Sequence, residues 1–229
     1  MSNLKSETAR GRRRLLRAGC AAAIGALLPA LAGASAFDDF FKAVKFDQAD
    51  RVRALLQRGI DPNTVEPVRG ETGLMVALRE KSMKSFAVLM ESRGIDLGVR
   101  ARNGDTALMI AAYTGNRPAV EALIARGAEV NQVGWTALHY AAAAGHNDVV
   151  QLLLEHHAYI DAESPNKTTP LMMAARGGHI LTVKLLLDEG ADLGLKNDLG
   201  MTALDFAKKH EKKDIVEGLT YRMRKAGKL

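Results

Sequence analysis

Aromatic side chains are scarce in this chain. Its 229 residues hold six Phe, four Tyr and a single Trp, together 5%, too few for the bulky core of a compact enzyme domain. Cysteine is scarcer still. Cys20 is the only one, so no internal disulfide can form, and oxidising and reducing compartments are both tolerated. The short motifs that announce catalysis are missing. There is no Gly-x-Ser-x-Gly elbow and no phosphate-cradling Gly-Lys-Thr/Ser loop, and no nucleophile can be placed beside a partnered base. Asp and Glu are scattered over turns and helix surfaces, where they serve as caps and solvating charges. A hydrolase or metal-dependent enzyme is therefore the rival reading, no cofactor is expected, and surviving activity or metal content after purification would favour that rival.

Charge is unevenly spread. The formal net charge is +6, but residues 1–36 carry Lys5, Arg10, Arg12, Arg13, Arg14 and Arg17 against Glu7 alone, leaving about +1 for the rest. An uncharged run from Ala18 to Phe37 follows these bases and ends in Ala34-Ser35-Ala36. A basic start, an apolar middle and a small-x-small site are the three parts of an export signal, with cleavage expected between Ala36 and Phe37. Arg12 and Arg13, with Arg14-Leu15-Leu16 after them, resemble the bacterial twin-arginine signal, and the general secretory route is the alternative. An uncleaved anchor is disfavoured by Pro29 and the many Ala and Gly residues, and lipidation of Cys20 by the lack of an apolar run before it. A nucleic-acid arm would not be followed by an apolar run and a cleavage site. The expectation is a periplasmic chain with no stable membrane insertion after cleavage.

Beyond residue 36 the chain repeats itself. Thr72, Thr106, Thr136, Thr169 and Thr202 each open a short apolar segment, at spacings of 34, 30, 33 and 33 residues. A fixed period near 33 replaces a compact domain with a stacked array. The clearest unit, Gly134 to Asn166, begins Gly-Trp-Thr-Ala-Leu-His, passes a small-residue stretch and a Gly-His break, and continues into Val149, Val150, Leu152, Leu153 and Leu154. Periodicity predicts two amphipathic helices per unit. In the first unit, 37–66, Phe37, Phe40, Phe41, Val44 and Phe46 are expected to form the apolar face of one helix and Val52, Leu55 and Leu56 that of the next. The joint Asn131-Gln132-Val133-Gly134 is about three residues short, the second unit has Lys81-Ser82 where the others break at Gly, and Lys167 replaces a usual Gly. Residues 197–229 form the last unit, and its Arg222, Arg224, Lys225 and Lys228 read as a solvated cap.

Gly-x-Thr-Ala/Pro-Leu, Ala-Ala-x-x-Gly-His and Gly-Ala-x-Val-Asn, several times in register, resemble the ankyrin repeat. The resemblance covers essentially all of 37–225. It implies an all-α solenoid of about six stacked helix-turn-helix units with short hairpin connections, occupying 37–229 after a 1–36 signal. His139 corresponds to the family's structural histidine, which bonds within and between repeats. His146 and His179 stand at inter-helix breaks and read as structural too, and Glu155-His156-His157 lacks a third spaced ligand.

The resemblance also implies where a partner docks, on the hairpin tips and the exposed side of the first helices. Carried onto this chain, those positions are Arg69, Glu71, Arg79, Arg102, Asn103, Asp105, Tyr113, Thr114, Trp135, Asn166, Thr168, Arg176, Met201 and Lys208. Trp, Tyr and Arg are enriched in binding hot spots. Trp135 sits at the shortened joint, where it is either a partner contact or a cover for the gap. The expected function is non-catalytic binding of an unidentified protein by a monomer in the bacterial cell envelope. Nucleic acid is not expected as a partner. A cytoplasmic or host-directed binding protein that keeps its leader is the remaining alternative.

Overall fold

The computed structural model describes residues 28–227; Arg12, Arg13 and Cys20 lie outside them. Among the described residues twelve helices pair into six units: α1 (Leu28–Lys45) with α2 (Ala49–Gln57), α3 (Gly73–Arg79) with α4 (Met83–Met90), α5 (Ala107–Tyr113) with α6 (Arg117–Ala125), α7 (Ala137–Ala144) with α8 (Asn147–Glu155), α9 (Pro170–Gly177) with α10 (Ile180–Asp188), and α11 (Ala203–Lys209) with α12 (Lys213–Lys225). The first helices α1, α3, α5, α7, α9 and α11 pack side by side in a row, backed by the second helices. Among the described residues there is no strand. Among these same residues a single antiparallel bridge joins Val65 to Thr72, and no helix of the described residues is long and apolar enough to cross a membrane.

The periodic threonines sit where helix physics needs them. Thr72, Thr106, Thr169 and Thr202 are N-caps whose hydroxyls accept from the backbone N–H of Met75, Met109, Met172 and Asp205, satisfying donors that a helix start leaves free. Pro170 opens α9, where its missing N–H costs nothing. The small residues behind the caps let neighbouring units close up: Ala111, Ala112, Ala141, Ala142, Ala174 and Ala175 have no exposed surface. In α8 the buried set is Val149, Val150, Leu152 and Leu153, the i, i+1, i+3, i+4 stripe of a helix covered on one face.

Two glycines hold space for the next unit. A Cβ on Gly145 would lie 2.4 Å from the His179 ring, and Gly145 is also left-handed, with φ +78°. The imidazole occupies that space and its Nε2 bonds the Ala143 carbonyl at 2.9 Å. His146 does the same one unit earlier, reaching the Tyr113 carbonyl at 3.0 Å. At the N-terminal end, Gly73 stands where the other units carry Ala or Pro, and a Cβ there would meet the Phe40 ring at 2.8 Å. Phe40 thus fills the volume a repeat neighbour would otherwise supply.

Helix α1 begins at Leu28 and its backbone runs unbroken across Ala36 and Phe37; Leu28, Ala30, Leu31 and Ala32 are good helix formers, and Pro29 is tolerated in the first turn. One expectation for the first unit is corrected: Phe46 is not part of the apolar face, since α1 ends at Lys45 and Phe46 is 68% exposed. The left-handed Asp47 that follows turns the chain towards α2.

At the hairpin tips Gly70, Gly104, Gly134 and Gly200 are left-handed, and Lys167 takes the same conformation with φ 57°. A side chain there is strained. Lys167→Gly is therefore expected to stabilise the protein by roughly 0.5–1 kcal/mol after the extra chain entropy of glycine is deducted. The urea midpoint should rise with the slope unchanged.

Candidate functional site

Two adjoining pockets lie on the side formed by first helices and hairpins. The first has a volume of about 330 Å³ and is lined by Arg69, Glu71, Arg79, Arg102, Asn103 and Asp105, so the fold brings six of the expected contact residues together. Its hairpins are tied by the Arg102 N–H, which donates to the Arg69 carbonyl at 2.8 Å. The acids here are not free. Glu71 is buried, takes Nε of Arg79 at 3.2 Å on one oxygen and pairs Nη2 on the other. Asp105 is buried as well, accepting from Asn103 Nδ2 at 2.7 Å and from the Tyr140 hydroxyl. Glu66, in the adjoining depression, is pushed up by burial, but hydrogen bonds from the N–H groups of Val68, Arg69 and Glu71 outweigh this and hold its carboxyl below the usual range.

The second pocket, about 240 Å³, is lined by Tyr113, Trp135, His139, Tyr140, Ala143, Met173 and Arg176. It unites three more expected residues, Tyr113, Trp135 and Arg176, from three different units. The Tyr113 and Tyr140 rings meet edge to face at 6.2 Å, and Trp135 meets His139 the same way at 5.2 Å. The half-buried indole thus does two things: it covers His139 and forms one wall of the pocket. Burial, and then the hydrogen bond to Asp105, raise the Tyr140 phenol above its ordinary value. The hydroxyl is therefore a fixed donor at neutral pH, and the Asp105–Tyr140 bond joins the two pockets.

His139 lies beneath this pocket with no exposed surface. Its Nε2 faces the Thr168 carbonyl at 2.9 Å, and its Nδ1 faces the Thr136 N–H at 3.2 Å and the Thr136 hydroxyl at 2.9 Å. A carbonyl can only accept and an N–H can only donate, so Nε2 carries the proton. Burial lowers its pKa from 6.5 to about 4, partly opposed by carbonyls of Thr168 and Ala162. The ring is neutral, and it ties its own unit to the next.

The other expected contacts are not gathered into either pocket. Thr168 is buried and supplies the carbonyl to His139. Like Glu71 and Asp105, it is buried and engaged within the scaffold. Thr114 turns its hydroxyl back to the carbonyls of Ile110 and Ala111. Asn166 is exposed at a tip, its side chain accepting from Ser164 and its carbonyl from the Asp198 N–H. Met201 is half-buried and bonded to Asn197 through its backbone, and Lys208 is exposed at the end of α11. Conversely, Tyr140 and Met173 were missed. Both stand four residues after an N-cap Thr, as do Val76, Ile110 and Phe206, and that common offset marks the helix face towards the pocket.

Among the described residues no three His, Cys, Asp or Glu side chains are grouped to hold a metal.

The family model "Ankyrin repeats (3 copies)" matches residues 40–133, 82–164 and 156–226. The chain is 34% identical over 176 residues to mouse B-cell lymphoma 3 protein homolog, covering 74% of this chain and 39% of that protein. It is 33% identical over 159 residues to human SH3 and multiple ankyrin repeat domains protein 2, 68% of this chain and 9% of the other. To human transient receptor potential cation channel subfamily A member 1 it is 32% identical over 162 residues, 66% of this chain and 14% of the channel subunit. The chain thus spans well under half the length of these relatives.

Proposed function

This chain belongs to the ankyrin-repeat family, and on that premise we propose that it is a non-catalytic module that binds another protein through the two pockets and the tips beside them. Repeats of this kind typically mediate protein–protein interaction. The observation that carries the proposal is the second pocket. Tyr113, Trp135 and Arg176, from three separate units, converge on one concave, mostly apolar site, and such aromatic and Arg clusters are what alanine scans find at interface centres. Its volume falls below the roughly 300–1,000 Å³ typical of a small-molecule or cofactor site, which suits a partner's side chain better.

The proposal includes the place. The signal-like leader supports export to the periplasm of a bacterium, with the repeats released after Ala36 to act on another envelope protein as scaffold, inhibitor or stabiliser. Two measurements test it. Crosslinking in the envelope fraction should capture a partner, and Trp135→Ala should abolish capture while shifting the melting temperature by no more than about 2 °C. Lost stability in place of lost capture would make Trp135 a cover for the joint alone. N-terminal sequencing of the mature chain should read Phe37; Met1 or Ser2 would sink the export reading and favour a cytoplasmic or host-directed binding protein.

A further inference from the structure

We propose that the partner presents an acidic segment, with one aromatic or large aliphatic side chain seated between Tyr113, Trp135, Tyr140 and Met173 and flanking carboxylates paired with Arg176 and Arg102. The inference rests on the binding function proposed above and names the chemistry of what is bound.

Three observations lead to it. First, the two acids lining the first pocket are already engaged, Glu71 by Arg79 and Asp105 by Asn103 and Tyr140, and Glu66 beside them is held by its own turn. Arg102 and Arg176 are exposed, and no carboxylate among the described residues lies within ion-pair distance of either. The face is left with uncompensated positive charge beside an apolar pocket, so an acidic partner is the complementary one.

Second, the bases are distributed by surface and not by helix stability. Lys42 and Lys45, Arg79, Arg176, and Lys208 and Lys209 occupy the last turns of the first helices α1, α3, α9 and α11. The macrodipole favours a cation at any helix C-terminus, so it would favour them equally on the second helices. Yet α2, α4, α6, α8 and α10 have no base in their last turns, although Arg58 and Arg126 stand just past α2 and α6; the exception is the terminal second helix α12, which ends in Arg222, Arg224 and Lys225. Helices α8 and α10 even end in Glu155 and Asp188. In the five units before the last, the dipole alone does not account for the concentration of cations on the first-helix row.

Third, the two first helices without a basic last turn, α5 and α7, supply the pocket with Tyr113, Tyr140 and Ala143, while α9 adds Met173 and the basic Arg176. Along the row the order is basic, aromatic, basic. An extended segment with acids on both sides of a central apolar residue matches that order.

Trp135 is the only Trp in the chain and lines the pocket, so its emission reports occupancy directly. The probe is a synthetic peptide of about twelve residues, long enough to span three units, with Asp and Glu flanking one Phe. Controls replace the Phe with Ala, or the acids with Lys. The acidic Phe peptide should change Trp135 emission saturably and weaken as salt rises. Each control, and Arg176→Glu or Arg102→Glu with unchanged melting, should weaken binding about tenfold or more. The proposal is overturned if the acidic Phe peptide leaves the emission unchanged up to millimolar concentration, or if the Lys peptide binds as well. It is equally overturned if oligo-dT or anionic vesicles displace the peptide at matched charge. A captured partner whose crosslinked segment is basic or uncharged would also overturn it while leaving the protein-binding function standing. Capture of no partner would instead remove that function itself.

Discussion

Leu153→Asp is expected to unfold more than the repeat that carries it. Leu153 has no exposed surface, and its helix α8 packs against its own α7 and against α6 and α10 on either side. An aspartate there buries an unpaired charge at the junction of three units, a cost of more than about 4 kcal/mol. No single unit can cover its own apolar face, so loss of α8 exposes both neighbours. Urea unfolding monitored by circular dichroism should show a transition at much lower denaturant, with a smaller slope because less surface is buried in what remains folded. Leu153→Ala is the milder arm: it should cost about 2–5 kcal/mol with the slope retained. Wild-type unfolding by the Asp variant would mean that stability is not shared along the stack.

The same non-local stability explains what could be read from the chain and what could not. The Thr period, the Gly-His breaks and the Leu stripe are local, repeated signals, and each turned out to be a cap, an inter-unit bond or a buried face. The errors fall where a residue's partner lies outside its own unit or where the repeat has no template. The resemblance to the ankyrin repeat placed Glu71, Asp105 and Thr168 on the exposed docking surface. They are buried because Arg79, Tyr140 and His139 satisfy them, and for Asp105 and Thr168 that partner is in the adjacent unit. Phe46 was assigned by composition to a helix that had already ended. The second pocket was half legible: Tyr113, Trp135 and Arg176 were named from repeat position, but their convergence with Tyr140 and Met173 depends on how three units stack.

Acidification should loosen the stack at His139 before most carboxylates titrate. The unfolded chain binds a proton at this site near pH 6.5, whereas burial depresses the folded value to about 4. Between these two values the unfolded state holds more protons than the folded one, so stability falls as pH falls. The contribution is fully present above pH 6.5 and is lost as pH drops through about 4; the depression corresponds to roughly 3 kcal/mol. Protonation at Nδ1 would set a second N–H against the Thr136 N–H and place a charge where no water reaches. Glu66 and Asp205, both held below their ordinary values, add loss of the same sign, but only below their unfolded values near 4.5 and 3.8. The window from 6.5 to 4.5 therefore lies above both of these contributions; Asp161, raised by burial, acts with the opposite sign and can only reduce the fall. Urea midpoints measured across it should fall steadily for the native chain. His139→Gln should be less stable at pH 7, because it loses the tie to Thr168, yet nearly flat over the same window. A native profile as flat as that of the variant would show that the ring is not held neutral by burial, and that the bond joining the fourth unit to the fifth carries less of the stability than its geometry implies.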